Sequence, residues 1–279
     1  MTIVPILLYH SVSAEPDGWI APYSVSPRVF AQHVDLMVAS GRTAMTISSL
    51  VAALRDPTTL PPRPLAITFD DGFADFAAAA GMLAANGLPS TLYVTTGALR
   101  GRRSSQQLCL PPASMLYWSQ VAELSDHDVE IGAHTHTHPQ LDTLGKQAAD
   151  DEIRRSKNLL EDVLAHEVPS FAYPHGFHSA RVRDAVKAAG YTSSCAVMNS
   201  LSSASDHPFA LARLTIQATT TTEQLTRWLA GLDAPVAPYP ERWKTKAWRT
   251  YRRVRGSRSS RGVITHAIPP PPQVSHSHR

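Results

Sequence analysis

Hydrophobic and polar positions alternate in blocks along this chain as far as about residue 232. Residues 3–8 are apolar throughout and predict a buried strand. Ser26-Pro27 then supplies a cap with proline at the first helical position, and Val29, Phe30, Val34, Met37 and Val38 recur at helical spacing until Gly41. A strand near 43–47 and a helix from Ser48 follow. The clearest buried strand spans 64–69; it runs into Asp70-Asp71-Gly72 and an Ala-rich helix over 73–85, closed by Asn86-Gly87. Further strands are predicted at 91–95, 129–133, 171–173, 191–197 and 214–216, and further helices at 115–124, 146–164, 181–189 and 222–232. Residues 97–112 and 199–208 read as loops.

Strand and helix alternating through short connections imply a mostly parallel sheet with helices outside it. Roughly seven such units suit a barrel better than a short open sheet. The Pro-rich stretch 235–240 closes the domain, so the expected division is a compact domain over 1–233 and a Pro-rich linker with a basic, partly disordered tail over 234–279.

Charge sharpens this division. The net charge of +3 is uneven: residues 241–279 hold ten Lys/Arg and one acid, leaving the body mildly acidic at −6. Within the tail, Trp243, Ala247, Tyr251 and Val254 recur every three or four residues among basic neighbours, with Trp248 at the border. That pattern suits a helix lying on an anionic membrane surface. No nucleic-acid-binding module is recognisable, so no specific nucleic acid partner is expected. The N-terminus has no basic n-region and no apolar run reaches membrane-spanning length, so the expected location is cytoplasmic, peripheral at the inner membrane face. Cys109 and Cys195 form neither a disulfide framework nor a CxxC site and are expected to be packing residues.

Two constellations carry chemistry. In Thr68-Phe69-Asp70-Asp71-Gly72, adjacent carboxylates sit where an apolar strand stops, the functional face of a parallel α/β fold. Neighbouring strand residues point opposite ways, so one carboxylate can hold a metal while the turn at Gly72 re-aims the other. In His134-Thr135-His136-Thr137-His138, one helical turn would put the imidazoles of His134 and His138 on one side and turn His136 elsewhere. Together they offer one carboxylate and two imidazoles with open positions, a set suited to Zn²⁺ or another borderline divalent ion. Redox iron uses a similar triad, but the spare neighbouring carboxylate, available as a general base, favours hydrolysis.

These two motifs, TFDDG and HTHTH, resemble the first two motifs of the polysaccharide deacetylases, the NodB-homology or carbohydrate esterase family 4 enzymes. The resemblance implies an α/β fold of the distorted (β/α)7-type barrel class. It also implies a hydrolase acting on the C–N bond of N-acetylated sugars in a polysaccharide or glycan precursor, with a divalent metal (zinc first; cobalt, nickel or manganese as alternatives). By that resemblance Asp70 is the base, and Asp71, His134 and His138 are the metal ligands. Phe171-Ala172-Tyr173-Pro174-His175-Gly176 resembles the family's third motif, so Tyr173, Pro174, His175 and Gly176 are expected to line the groove and offer a backbone N–H to the oxyanion. Here His175 stands where the usual form has Tyr, and the usual leading Arg is missing; Arg213 is the candidate for holding Asp70. The family's late Leu-x-His motif is also missing, and Leu8-Tyr9-His10 takes its place at the start. This is similar to the circularly permuted branch, typified by poly-N-acetylglucosamine deacetylases, and it makes His10 the acid that protonates the leaving amine. A degenerate glycan-binding domain and a hydrolase of a non-sugar amide remain open alternatives.

Overall fold

The computed structural model describes residues 2–239 apart from Pro57 and Arg103. The basic segment read as a membrane-surface helix lies outside the described residues. A compact unit covers Met1–Pro240. Its main sheet is built from β1 (Ile6–Tyr9), β2 (Thr43–Met45), β3 (Pro64–Phe69), β4 (Ser90–Val94), β5 (Val129–Ala133), β6 (Ser170–Ala172), β7 (Ser193–Cys195) and β8 (Leu214–Thr215). The helices are α1 (Pro27–Ala39), α2 (Ile47–Arg55), α3 (Phe76–Ala84), α4 (Trp118–Ser125), α5 (Lys146–Leu164), α6 (Ala180–Ala188) and α7 (Thr222–Leu229).

The strand order is β7-β6-β5-β4-β3-β1-β8, with β2 also on β3, and every pairing in this sheet is parallel. The sheet curls towards closure. Leu211 bridges Cys195 of β7, and three residues later Leu214 pairs with Leu7 of β1. The last strand therefore lies against the first, as the barrel expectation requires. The (β/α)7-type barrel is thus present in distorted form.

Alternation along the strands separates two cores. Leu7, Tyr9, Ile67, Phe69, Leu92, Val94, Ile131, Phe171 and Tyr173 join Phe30, Met37, Leu83, Leu160 and Val186 of the helices in one buried layer. Ile6, Ala66, Tyr93, Ala172, Cys195 and Leu211 face inwards and pack with Ile47, Leu50 and Val51 of α2 in another. Fully burying each such aliphatic side chain contributes roughly 1.5–3 kcal/mol. Gly132 is required on the inner face: a Cβ there would lie 2.4 Å from Cδ1 of Tyr93.

The observed elements shift from the predicted ones for identifiable reasons. The first apolar run is two strands, because Ile3–Val4 leaves the main sheet to pair antiparallel with Ser202–Ser203, inside the stretch expected to be loop. Helix α3 starts at Phe76 rather than Phe73, and α4 at Trp118 rather than Met115. Phe73 bridges Met115, while the Ala74 and Leu116 N–H groups donate to Ser114 O and Gly72 O. The linker expected from residue 234 runs back along the compact unit: Leu201 N–H donates to Pro235 O, and Ala237 N–H to Leu201 O. Cys195 is buried, as expected for a packing residue, but Cys109 is exposed. It lies in the loop over the histidine segment, its N–H donating to Thr137 O. Among the described residues, no helix is long and apolar enough to cross a membrane.

Candidate metal centre and its surroundings

The inward-facing rows Ile6–Leu8–His10 and Ala66–Thr68–Asp70 end at the same rim of the sheet. Asp70 keeps the strand register, its N–H donating to Tyr9 O at 3.0 Å. The chain then turns sharply: Asp71 has φ 76° and Gly72 φ 90°. A left-handed aspartate is strained, of the order of 1 kcal/mol or more, and such strain persists only where the surroundings enforce it. Here the Asp71 carbonyl accepts from Thr95 N–H and the Gly72 carbonyl from Leu116 N–H.

The histidine segment is not the helical turn that the spacing predicted. His134 continues β5 by donating its N–H to Val94 O, after which Thr135 and His138 adopt φ 66° and 64°. Thr135 Oγ1 accepts the His138 N–H at 3.0 Å. The resulting loop still places the His134 and His138 rings 4.9 Å apart. Glu152 of α5 binds the loop from behind: one oxygen accepts the His136 and Thr137 N–H groups, each at 2.8 Å, and the other accepts Thr137 Oγ1–H at 2.6 Å. His136 turns away, as predicted, its ring nitrogens contacting Thr96 Oγ1 and Ser104 Oγ.

One ligand atom each from Asp71, His134 and His138 lies within 4.8 Å of the others, all three residues being buried. Asp71 Oδ1 is 3.2 Å from His138 Nε2 and 3.6 Å from His134 Nε2. This oxygen is buried and makes no hydrogen bond among the described residues. His134 Nδ1 is 2.8 Å from Ala172 O, so the proton sits on Nδ1 and the Nε2 lone pair faces the carboxylate. Burial lowers the His134 pKa to about 4, against the pull of Asp70 and Asp71, so the imidazole is neutral at pH 7. Burial pushes the Asp71 carboxyl up, but His138 and then His10 and His134 more than reverse it, keeping Asp71 ionised. An orphaned carboxylate oxygen between two imidazole nitrogens fits a divalent cation.

Asp70 stands beside this group, its Oδ2 3.8 Å from His134 Nε2. Arg213, with no exposed surface, forks onto it: Nη1 to Oδ1 and Nη2 to Oδ2, both 2.7 Å. The guanidinium also donates to Thr68 Oγ1 and Ala196 O and lies over the Tyr93 ring, 5.5 Å from its centroid. Burial raises the Asp70 pKa, but Arg213 and then His134 lower it further, so it too is ionised. His10 stands at the end of β1 with its ring 5.4 Å from that of Tyr23. Burial pushes its pKa below the ordinary value, outweighing the opposite pull of Asp71 and Asp70.

The third stretch divides. Tyr173 does not reach the rim. It shares the outward row with Phe171, its hydroxyl donates to Phe209 O and accepts from Ser194 Oγ, and it is fully buried, so its expected groove-lining side chain belongs to the core. Pro174 is buried and opens a tight turn, in which His175 has φ 57° and Gly176 φ 72°. His175 is exposed and its ring lies 4.8 Å from that of His138. At Gly176 a Cβ would meet Val197 N at 2.4 Å, so the turn seats tightly on the strand end.

The family described as polysaccharide deacetylase matches residues 58–194. This chain carries a polysaccharide deacetylase domain. A Bacillus subtilis (strain 168) protein named as a polysaccharide deacetylase, YxkH, is 23% identical over 189 residues, covering 67% of this chain and 62% of that protein. The match therefore spans less than two thirds of that relative's length. Among solved structures, the Streptococcus pyogenes deacetylase PplD in complex with acetate aligns with a TM-score of 0.71 at 23% identity, over 80% of this chain and 96% of that one. A de-N-acetylase from Aggregatibacter actinomycetemcomitans aligns with a TM-score of 0.69 at 20% identity, over 80% and 98%. At these identities the likeness is one of fold. The matched deacetylase segment contains Asp70, Asp71, His134, His138 and His175 but neither His10 nor Arg213. Those two flank β1 and β8, which are adjacent: His10 follows β1 at the rim, whereas Arg213 precedes β8 and reaches Asp70 with its side chain.

Proposed function

We propose that the chain hydrolyses the acetamido group of N-acetylated sugars in a polysaccharide or glycan precursor. One observation carries this reading: the orphaned Asp71 oxygen faces two imidazole nitrogens beside a second carboxylate held by Arg213. Asp71, His134 and His138 would hold a divalent cation, for which the mixed carboxylate–imidazole set favours zinc, with cobalt, nickel and manganese as alternatives. When bound, that ion supplies Lewis acidity and a water that ionises near neutral pH.

The chain's own groups account for the rest. Asp70, kept ionised and fixed in plane by Arg213, accepts the proton of the attacking water. The backbone of the turn at His175 donates to the oxygen on which charge builds. His10 delivers a proton to the departing nitrogen, without which an amine is a poor leaving group. The relatives' names support the substrate class, one being a de-N-acetylase and another a deacetylase with bound acetate. The basic segment 241–279 would hold the enzyme at an anionic membrane surface; vesicle flotation of the chain with and without it tests that part.

Acetate release from a panel of acetylated glycans, with and without chelator, tests the activity. Asp70→Asn is expected to retain the cation and lose turnover by at least about 10²-fold, the usual scale for a general base. Wild-type turnover in that variant would refute the base assignment.

A further inference from the structure

His10 has no hydrogen-bond partner on Nδ1 among the described residues, although that atom is buried. A general acid is ordinarily aimed by a bond to its second ring nitrogen. Here the aim must come from the main chain on either side and from the Tyr23 ring. On one side Tyr9 O is fixed by Asp70 N–H. On the other side stands Asp75, whose Oδ2 accepts Ser11 Oγ–H at 2.6 Å and Val12 N–H at 3.1 Å.

Asp75 immediately precedes α3, where an aspartate would ordinarily cap the helix. Its side chain makes no capping bond; it reaches instead to residues 63 and 64 positions earlier. Ser24 Oγ donates in turn to Ser11 Oγ at 2.6 Å, and the pairs Ser11–Val12 and Ser24–Val25 run side by side. Ser11 and Ser24 are 3% and 5% exposed, so this network is shielded from water, where its bonds hold geometry best. It ties three things together: the turn carrying Asp70 and Asp71, the residue after His10, and the segment that brings Tyr23 against the His10 ring.

We propose that Asp75 is a positioning residue for His10, orienting the proton donor through the Ser11–Val12 backbone. The inference rests on the reading of His10 as general acid. The test compares two substrates on the full-length, metal-loaded chain. An N-acetylglucosamine oligomer has an amine leaving group that must be protonated, whereas the nitrophenolate of 4-nitrophenyl acetate leaves without a proton. Asp75→Ala is expected to lower kcat on the oligomer by about 10²-fold, towards the loss in His10→Ala, and on the ester by no more than about threefold, with metal content per chain unchanged. Asp75→Asn, which keeps an acceptor oxygen, should restore most of the amide activity. Equal losses on both substrates, or intact amide activity in Asp75→Ala while His10→Ala loses it selectively, would overturn the positioning role alone. Absence of amide selectivity in His10→Ala would instead remove the general-acid reading, and the inference with it. If Asp75→Ala does not fold, Ser11→Ala decides in the same way: an amide-selective loss supports the role and an even-handed effect overturns it.

Discussion

Arg213 is a buried guanidinium, a group that is stable inside a protein only when its donors are matched. Asp70, Thr68 and Ala196 accept its Nε, Nη1 and Nη2 hydrogens. Replacing it with Met should leave Asp70 as a lone buried charge, costing about 3–5 kcal/mol in urea unfolding. Arg213→Lys keeps the charge but not the two-pronged geometry and should still lose activity. A stable, fully active Met variant would show that Asp70 does not need this partner. The role was legible in sequence only as a candidate, because the pair is 143 residues apart and a lone strand-start arginine looks like many surface ones. The two aspartates and the histidine pair were legible because they follow apolar strands, where alternation and turn chemistry limit the outcomes. Tyr173 was misplaced because a motif lists neighbours without saying which face each takes. His33 passed unnoticed. It is buried in α1, with Nδ1 3.1 Å from the Tyr9 hydroxyl and Nε2 unpartnered among the described residues. Burial lowers its pKa to about 4. The unfolded chain, with an ordinary histidine pKa near 6.5, therefore takes up this proton first, so stability is full above about pH 6.5 and falls as the pH drops towards 4. His33→Leu should flatten the fall in urea midpoint between pH 7.5 and 5; an unchanged slope would place the sensitivity in other groups.

Element boundaries were read to within a few residues where local chemistry sets them. Ser26 accepts the Val29 N–H and Pro27 opens α1, as the cap and proline predicted, and β5 and α5 match the predicted spans. The misses fall where a non-local pairing overrides periodicity, as in the Phe73–Met115 bridge that delays both α3 and α4. The loop after β5 is the instructive case. Spacing alone brought His134 and His138 together by a helical turn, whereas the chain achieves it with two left-handed residues and the Glu152 clamp. Glu152 carried no signal, being one acid on a charged helix. Its removal in Glu152→Ala would leave two buried N–H groups unmatched and loosen both imidazoles. Metal affinity, read by chelator competition, should fall about 10–100-fold, the scale for partners that orient ligands. Affinity equal to wild type would mean that the loop holds its shape unaided.

At the scale of the molecule, alternating blocks of strand and helix made the barrel legible, since few arrangements bury so many parallel strands. Curling the sheet then does what no local pattern announces: it sets β8 beside β1, so His10 at the end of β1 and the Arg213 side chain, from a residue 203 positions later, are brought to Asp70 and the residues that follow β5. The central claim is that this rim holds one divalent cation on Asp71, His134 and His138, next to Asp70. Metal titration of the demetallated chain by calorimetry, with elemental analysis of the product, tests it most directly. The account predicts one equivalent of zinc per chain, retained by Asp70→Asn and lost by His134→Ala and His138→Ala. Binding that survives both histidine substitutions, or none in the unsubstituted chain, would contradict it.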